Sequence, residues 1–117
     1  MGLFSRVVHR RGPGSSGGAA HGEARAQTLA HFRQFQASRP GVEAYIEPAT
    51  RLDPTTMVLI ARTGEWTRRR VPDDAAARKL ARELGMPVYD VQLTGYPARM
   101  REWNARQRAE RLRTARG

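Results

Sequence analysis

The sequence predicts an α+β protein of element order α-β-β-β-α-β-α, a four-stranded mixed sheet with packed helices. Three observations predict it. Residues 57–60 (MVLI) are an unbroken apolar run of strand length, followed by the turn pair Thr63-Gly64 and a returning strand at 66–71. Residues 73–85 then change to helical period, opening on two aspartates and closing on Gly85. After that helix comes a second apolar stretch, 86–93, and then a helix led by Pro97.

The elements follow in order. Between residues 23 and 38, Leu29, Phe32 and Phe35 fall on one helical face, with Arg33, Gln34 and Gln36 elsewhere. Arg39-Pro40-Gly41 stops that helix, because proline disfavours helix in the residue before it. Residues 42–47 alternate apolar and polar, the pattern of a half-buried strand, and 48–54 form a loop. The run 57–60 suits a central strand covered on both faces. Pro72 ends the next strand, having no amide to donate. Asp73 or Asp74 caps the following helix, whose buried stripe is Ala77, Leu80, Ala81 and Leu84, with Gly85 as the left-handed stop. A crossover then places strand 86–93 parallel within the same sheet. The final helix carries Met100 and Trp103 on one face and no apolar stripe beyond them.

This order divides the chain into a flexible basic Gly/Ser-rich tail (1–22), an α+β domain (23–104) and a projecting arginine-rich helical extension (105–117). Within the tail, Leu3, Phe4, Val7 and Val8 lie at one-turn spacing beside Arg6, Arg10 and Arg11, where a frayed terminus competes with a small docking helix.

Composition narrows the functions. Without cysteine there are no disulfides, no thiolate chemistry and no Cys-zinc sites. No apolar run reaches membrane-spanning length, and the opening MGLFSRVVHRR is too short and too quickly charged for a secretory signal, so the expectation is a cytoplasmic protein. The net charge of +10 is unevenly spread. Residues 1–22 carry +3, residues 23–96 only +2, and residues 97–117 carry +5. A nearly neutral body with basic ends directs the search for a polyanion partner to those ends.

Three constellations of residues could carry chemistry. Gly12-Pro13-Gly14-Ser15-Ser16-Gly17 matches a dinucleotide fingerprint, with Glu43 or Glu47 as ribose acid. Glycines continue through Gly18 and Gly22 before helical pattern appears, Pro13 removes a donor, and a hairpin follows instead of a second βαβ unit. No cofactor is therefore expected. From residue 39 to 117 there is no Ser, Cys or His, so neither a triad nor a Cys-His pair can be assembled on the body, and metal-ligand spacing is missing. Asp90 reads as an arginine's partner, and an enzyme is not the expectation.

The third constellation is basic and aromatic. Trp66, Arg68 and Arg70 share one face of a strand, where an indole beside two guanidiniums can stack a base and pair phosphates. The competing reading makes Trp66 core and pairs the arginines with Glu43, Glu47 or Glu65. The last helix adds Arg99, Arg101, Arg106, Arg108, Arg111, Arg113 and Arg116, which pairs such as Glu102–Arg106 offset only in part.

The order α-β-β-β-α over residues 23–85 resembles a double-stranded RNA-binding domain, a likeness that implies RNA binding. In that family the second helix begins with phosphate-gripping lysines, where this chain has Asp73 and Asp74. The segments GEWTRRR (64–70), ELGMPVYDV (83–91) and GYPARMREWN (95–104) are similar to those of a set of short, basic actinobacterial-type proteins of no established activity, sometimes labelled oxidoreductase. The leading expectation is non-enzymatic binding of RNA, DNA or a ribonucleoprotein through Trp66, Arg68, Arg70, Arg99, Arg101, Arg106, Arg108, Arg111 and Arg113, with low sequence specificity. A protein-interaction adaptor follows, using an exposed patch of Tyr45, Trp66, Tyr89 or Tyr96 and an acidic protein partner for the arginine helix. A nicotinamide-dependent oxidoreductase comes third.

Overall fold

The computed structural model describes residues 13–116, with side chains from Gly22 onward. Expectations for residues 1–12, including the Leu3-Phe4-Val7-Val8 segment, lie outside the described residues. The chain divides between His31 and Phe32 into two compact units, and the second carries the sheet.

The architecture is α+β. Helix α1 (Pro13–Ser38) precedes strands β1 (Glu43–Glu47), β2 (Thr56–Ile60) and β3 (Trp66–Arg70), then helix α2 (Asp74–Leu84), strand β4 (Val88–Asp90), the single turn α3 (Val91–Thr94) and helix α4 (Ala98–Arg116). The strands lie in the order β3-β2-β1-β4. β2 pairs antiparallel with both β1 and β3, and β4 pairs parallel with β1 after the α2 crossover. The sheet is mixed, as the crossover predicts.

Two element boundaries differ from the sequence reading. α1 begins at Pro13, well before residue 23, so 13–22 are helical. Proline's fixed φ suits a first helical position, and the glycines that suggest a tail weaken a helix without forbidding one. The last strand stops at Asp90 instead of reaching residue 93. The Asp90 carboxylate accepts the Gln92 amide at 2.8 Å and turns the backbone into α3, so Asp90 is a helix cap with no arginine partner among the described residues.

α2 is built as its sequence dictates. Asp73 is extended and its carboxylate accepts the Ala76 amide at 2.8 Å, while Gly85 at φ 67° returns its own amide to the Ala81 and Arg82 carbonyls. Ala77, Leu80, Ala81 and Leu84 are buried. In the strands, Ala44, Ile46, Met57 and Leu59 have no exposed surface, and by alternation they share the sheet face opposite Tyr45, Val58 and Ile60. β2 is thus covered on both sides. Phe32 and Phe35 at the end of α1 are buried too, and Gln36 Nε2 donates to the Leu84 carbonyl at 2.9 Å, tying that end of α1 to α2.

Candidate functional site

The second face of the sheet carries the candidate residues, and register fixes which they are. Glu43, Tyr45 and Glu47 on β1 lie beside Ile60, Val58 and Thr56 on β2, which lie beside Trp66, Arg68 and Arg70 on β3. The face therefore has an apolar end at Ile60–Trp66 and a polar end at Glu47–Thr56–Arg70.

The apolar end is closed by α4. Tyr45, Val58, Ile60 and Met100 form a buried cluster, with Trp66, Tyr89, Val91 and Tyr96 packed against it. Trp66 Nε1 donates to Asn104 Oδ1 at 2.8 Å. Arg99 spans the strand ends: Nε donates to the Ala61 carbonyl at 2.9 Å, and a terminal nitrogen reaches Glu43 at 2.8 Å and the Ile60 carbonyl at 3.3 Å. The Ala61 carbonyl also accepts the Gly64 amide at 2.9 Å, so the guanidinium adds a second donor at the end of β2 and ties α4 to the turn that follows it. Gly64, at φ 94°, lets the β2–β3 turn pass beneath α4, since a Cβ there would lie 2.0 Å from the Arg99 carbonyl oxygen.

Glu47 is the hub of the polar end. Arg68 forks onto it through Nε at 2.7 Å and a terminal nitrogen at 2.8 Å, while the Thr56 hydroxyl and the Tyr96 phenol also donate to the same carboxylate. Burial alone would raise the Glu47 pKa, but the bonds from Arg68, Thr56 and Tyr96 outweigh it and hold the carboxyl below its usual range. Burial, then the bond to Glu47, push the Tyr96 phenol up. The Arg68 guanidinium also lies 4.9 Å from the centroid of the Trp66 ring. Arg70, one residue-pair further along the strand, is exposed and has no ionic partner among the described residues.

The α4 arginines fall into two groups. Arg99 and Arg101 serve the domain, Arg101 by donating to the Tyr96 carbonyl at 2.8 Å. Arg106 is transitional: it donates to the Thr63 carbonyl at 3.0 Å and stands 5.9 Å from the Trp103 ring centroid, instead of pairing with Glu102. From Arg108 to Arg116 every side chain is exposed. Arg113 pairs with Glu110, and Arg108, Arg111 and Arg116 have no ionic partner among the described residues.

The structure thus gathers Trp66 and Arg68 into a packed and paired cluster, leaves Arg70 open beside them, and spreads the distal α4 arginines over a separate helix surface. Tyr45 is buried and Trp66, Tyr89 and Tyr96 pack around it, so these aromatics build core instead of an exposed patch. Residues 13–17 of the glycine-rich motif lie in α1, and Glu43 and Glu47 are bound to arginines. Sequence reasoning offered Tyr96 only as part of an exposed aromatic patch and did not single out Asn104. Both contacts join residues about forty or more positions apart, and only the docking of α4 brings them together. No three His, Asp or Glu residues among those described are placed to hold a metal ion. No protein-family model, curated protein or solved structure matches this chain.

Proposed function

We propose that the protein is a non-enzymatic polyanion binder whose partner is RNA, DNA or a ribonucleoprotein, held through backbone phosphates with little sequence readout. One observation carries this reading. The distal half of α4 presents Arg108, Arg111, Arg113 and Arg116 to solvent against a single acid, Glu110, on a helix with no apolar stripe to bury. A helix charged all round gains nothing from packing on a protein core. Guanidiniums displayed at helical spacing match phosphate oxygens and release the counterions condensed on a nucleic acid.

Affinity then falls steeply with salt. If four to five phosphates are contacted, log K against log salt has a slope of about −3 to −4. Replacing Arg108, Arg111, Arg113 and Arg116 together by Gln flattens that slope by roughly one unit per lost contact and leaves the thermal midpoint nearly unchanged. Filter binding to mixed-sequence RNA and DNA across a salt series measures it. Salt-independent retention, or undiminished binding by the four-fold variant, refutes the reading.

One observation favours an adaptor as second reading. Leu112 is 57% exposed between Arg111 and Arg113, and a leucine flanked by arginines suits an acidic groove with an apolar floor. Salt-insensitive capture of one protein after nuclease treatment selects that alternative.

A further inference from the structure

At the polar end of the sheet, away from α4, a cleft of about 600 Å³ opens between the β1–β2 loop and the edge strand β3. Its size is in the range of small-ligand sites. Arg68, Arg69 and Arg70 form one wall, the loop residues Pro48, Thr50, Asp53 and Pro54 the other, and Glu47 with Thr56 the floor.

The chemistry of each wall limits what fits. The Glu47 charge is offset by Arg68 and its oxygens are occupied by the Thr56 and Tyr96 hydroxyls, so the floor repels an anion far less than a free carboxylate would. Arg70 keeps its whole guanidinium fork, with no ionic partner among the described residues. The loop wall is preorganised: the Thr50 amide donates to the Asp53 carbonyl at 2.8 Å, and Thr50 Oγ1 accepts from the Leu52 and Asp53 amides at 3.2 and 2.9 Å. With its lone pairs so engaged, the Thr50 hydroxyl has its proton left to donate. Asp53 lines the same cleft, has no ion pair to Arg68 or Arg70 among the described residues, and is an acceptor suited to hydroxyl groups.

We propose that this cleft binds a phosphorylated sugar, the sugar-phosphate unit of a nucleotide, with the phosphate on Arg70 and the Thr50 hydroxyl and the sugar hydroxyls on Asp53. A carboxylate ligand would use the cation and leave Asp53 unanswered; a neutral sugar would use Asp53 and leave Arg70 unanswered. A sugar phosphate satisfies both walls. The unit comes either as a free nucleotide or as the end of a strand. The site shares no residue with distal α4, so it stands or falls apart from the polyanion reading.

The test is calorimetric titration of the full chain with adenosine monophosphate and with adenosine, and with one short oligoribonucleotide bearing either a 5′-phosphate or a 5′-hydroxyl. Saturable binding of the monophosphate, weakened about tenfold by Arg70→Gln and absent for adenosine, identifies a free nucleotide. A 5′-phosphate preference abolished by Arg70→Gln, with no monophosphate binding, identifies a strand end. In either case Asp53→Asn reduces preference for the ribonucleotide over its deoxy counterpart. The variant lacking the four distal α4 arginines keeps whichever of these signals the full chain gives, even where it no longer holds long nucleic acids. Absence of phosphate-dependent binding in every arm, or binding indifferent to Arg70→Gln, overturns the proposal. Arg70 is exposed and bears no packing, so its replacement leaves the fold intact for the comparison.

Discussion

The two ends of one sheet face differ in what their arginines do. At the end beneath α4, Arg99 is spent on two strand-end carbonyls and a carboxylate, Trp66 is tied to Asn104, and the turn at Gly64 touches helix backbone. At the other end Arg68 is half committed, through Glu47 and the Trp66 ring, and Arg70 not at all. Side chains of one type, on one face and a few residues apart, thus run from structural strut to open cation. An arginine near a sheet is therefore evidence of anion binding only after the strand-end carbonyls and neighbouring acids have been accounted for.

The comparison breaks most readily at the closed end. Gly64→Ala places a methyl group within 2.0 Å of the Arg99 carbonyl oxygen at a φ of 94° that alanine resists. Either the turn or α4 must move, and Met100, Trp103 and the Arg99 bonds lose their seats. A loss of about 3–4 kcal/mol is expected in urea denaturation, the largest single effect predicted here. A closed end that tolerates alanine within 1 kcal/mol would mean that α4 is not seated on the turn.

Arg99→Gln sharpens the same end with a smaller cost. It leaves Glu43 without its cation and takes one donor from the Ala61 and Ile60 carbonyls, of which Ala61 keeps the Gly64 amide, for about 2 kcal/mol. Against this, Arg70→Gln is expected to change stability by no more than about 0.5 kcal/mol. A double-mutant cycle of Arg99→Gln with Glu43→Gln separates the ion pair from the carbonyl contacts. Coupling near zero would assign the strut to the carbonyls alone.

Much of the fold was legible because its signals are local. The Asp73 cap, the Gly85 stop and the Ala77-Leu80-Ala81-Leu84 stripe each sit within one helix, and the apolar run of β2 states its own burial. The end of β4 was not legible, since a short strand and a single helical turn share the same apolar letters until Asp90 caps Gln92. The site was half legible. Alternation placed Trp66, Arg68 and Arg70 on one face, yet nothing local says that Glu47 takes Arg68 or that Arg99 turns inward. Those outcomes depend on which residues α4 and β1 bring within reach. The distal α4 arginines were the easiest to place, because among the described residues Arg108, Arg111 and Arg116 have no ionic partner and Arg113 pairs within its own helix with Glu110.

The smallest effect compares the two ends by acid titration. Glu47 at the open end and Glu65 near the closed end both have carboxyl groups held below the ordinary range. For Glu47, burial opposes the shift and the Arg68, Thr56 and Tyr96 bonds overcome it; for Glu65, the Arg39 hydrogen bond at 2.6 Å is the leading cause. A carboxyl whose folded pKa lies below its unfolded value adds stability that is complete above the unfolded value near 4.5 and is lost as pH falls through the folded one. The urea midpoint should therefore hold steady down to about pH 5 and then decline. Glu47→Gln should flatten that decline more than Glu65→Gln does. The Glu47 side chain is 15% exposed against 32% for Glu65, and water screens the more exposed pair more strongly. If Glu65→Gln flattened the decline more, the Arg68–Glu47 pair would be the weaker one, and Arg68 would count with Arg70 as an open cation.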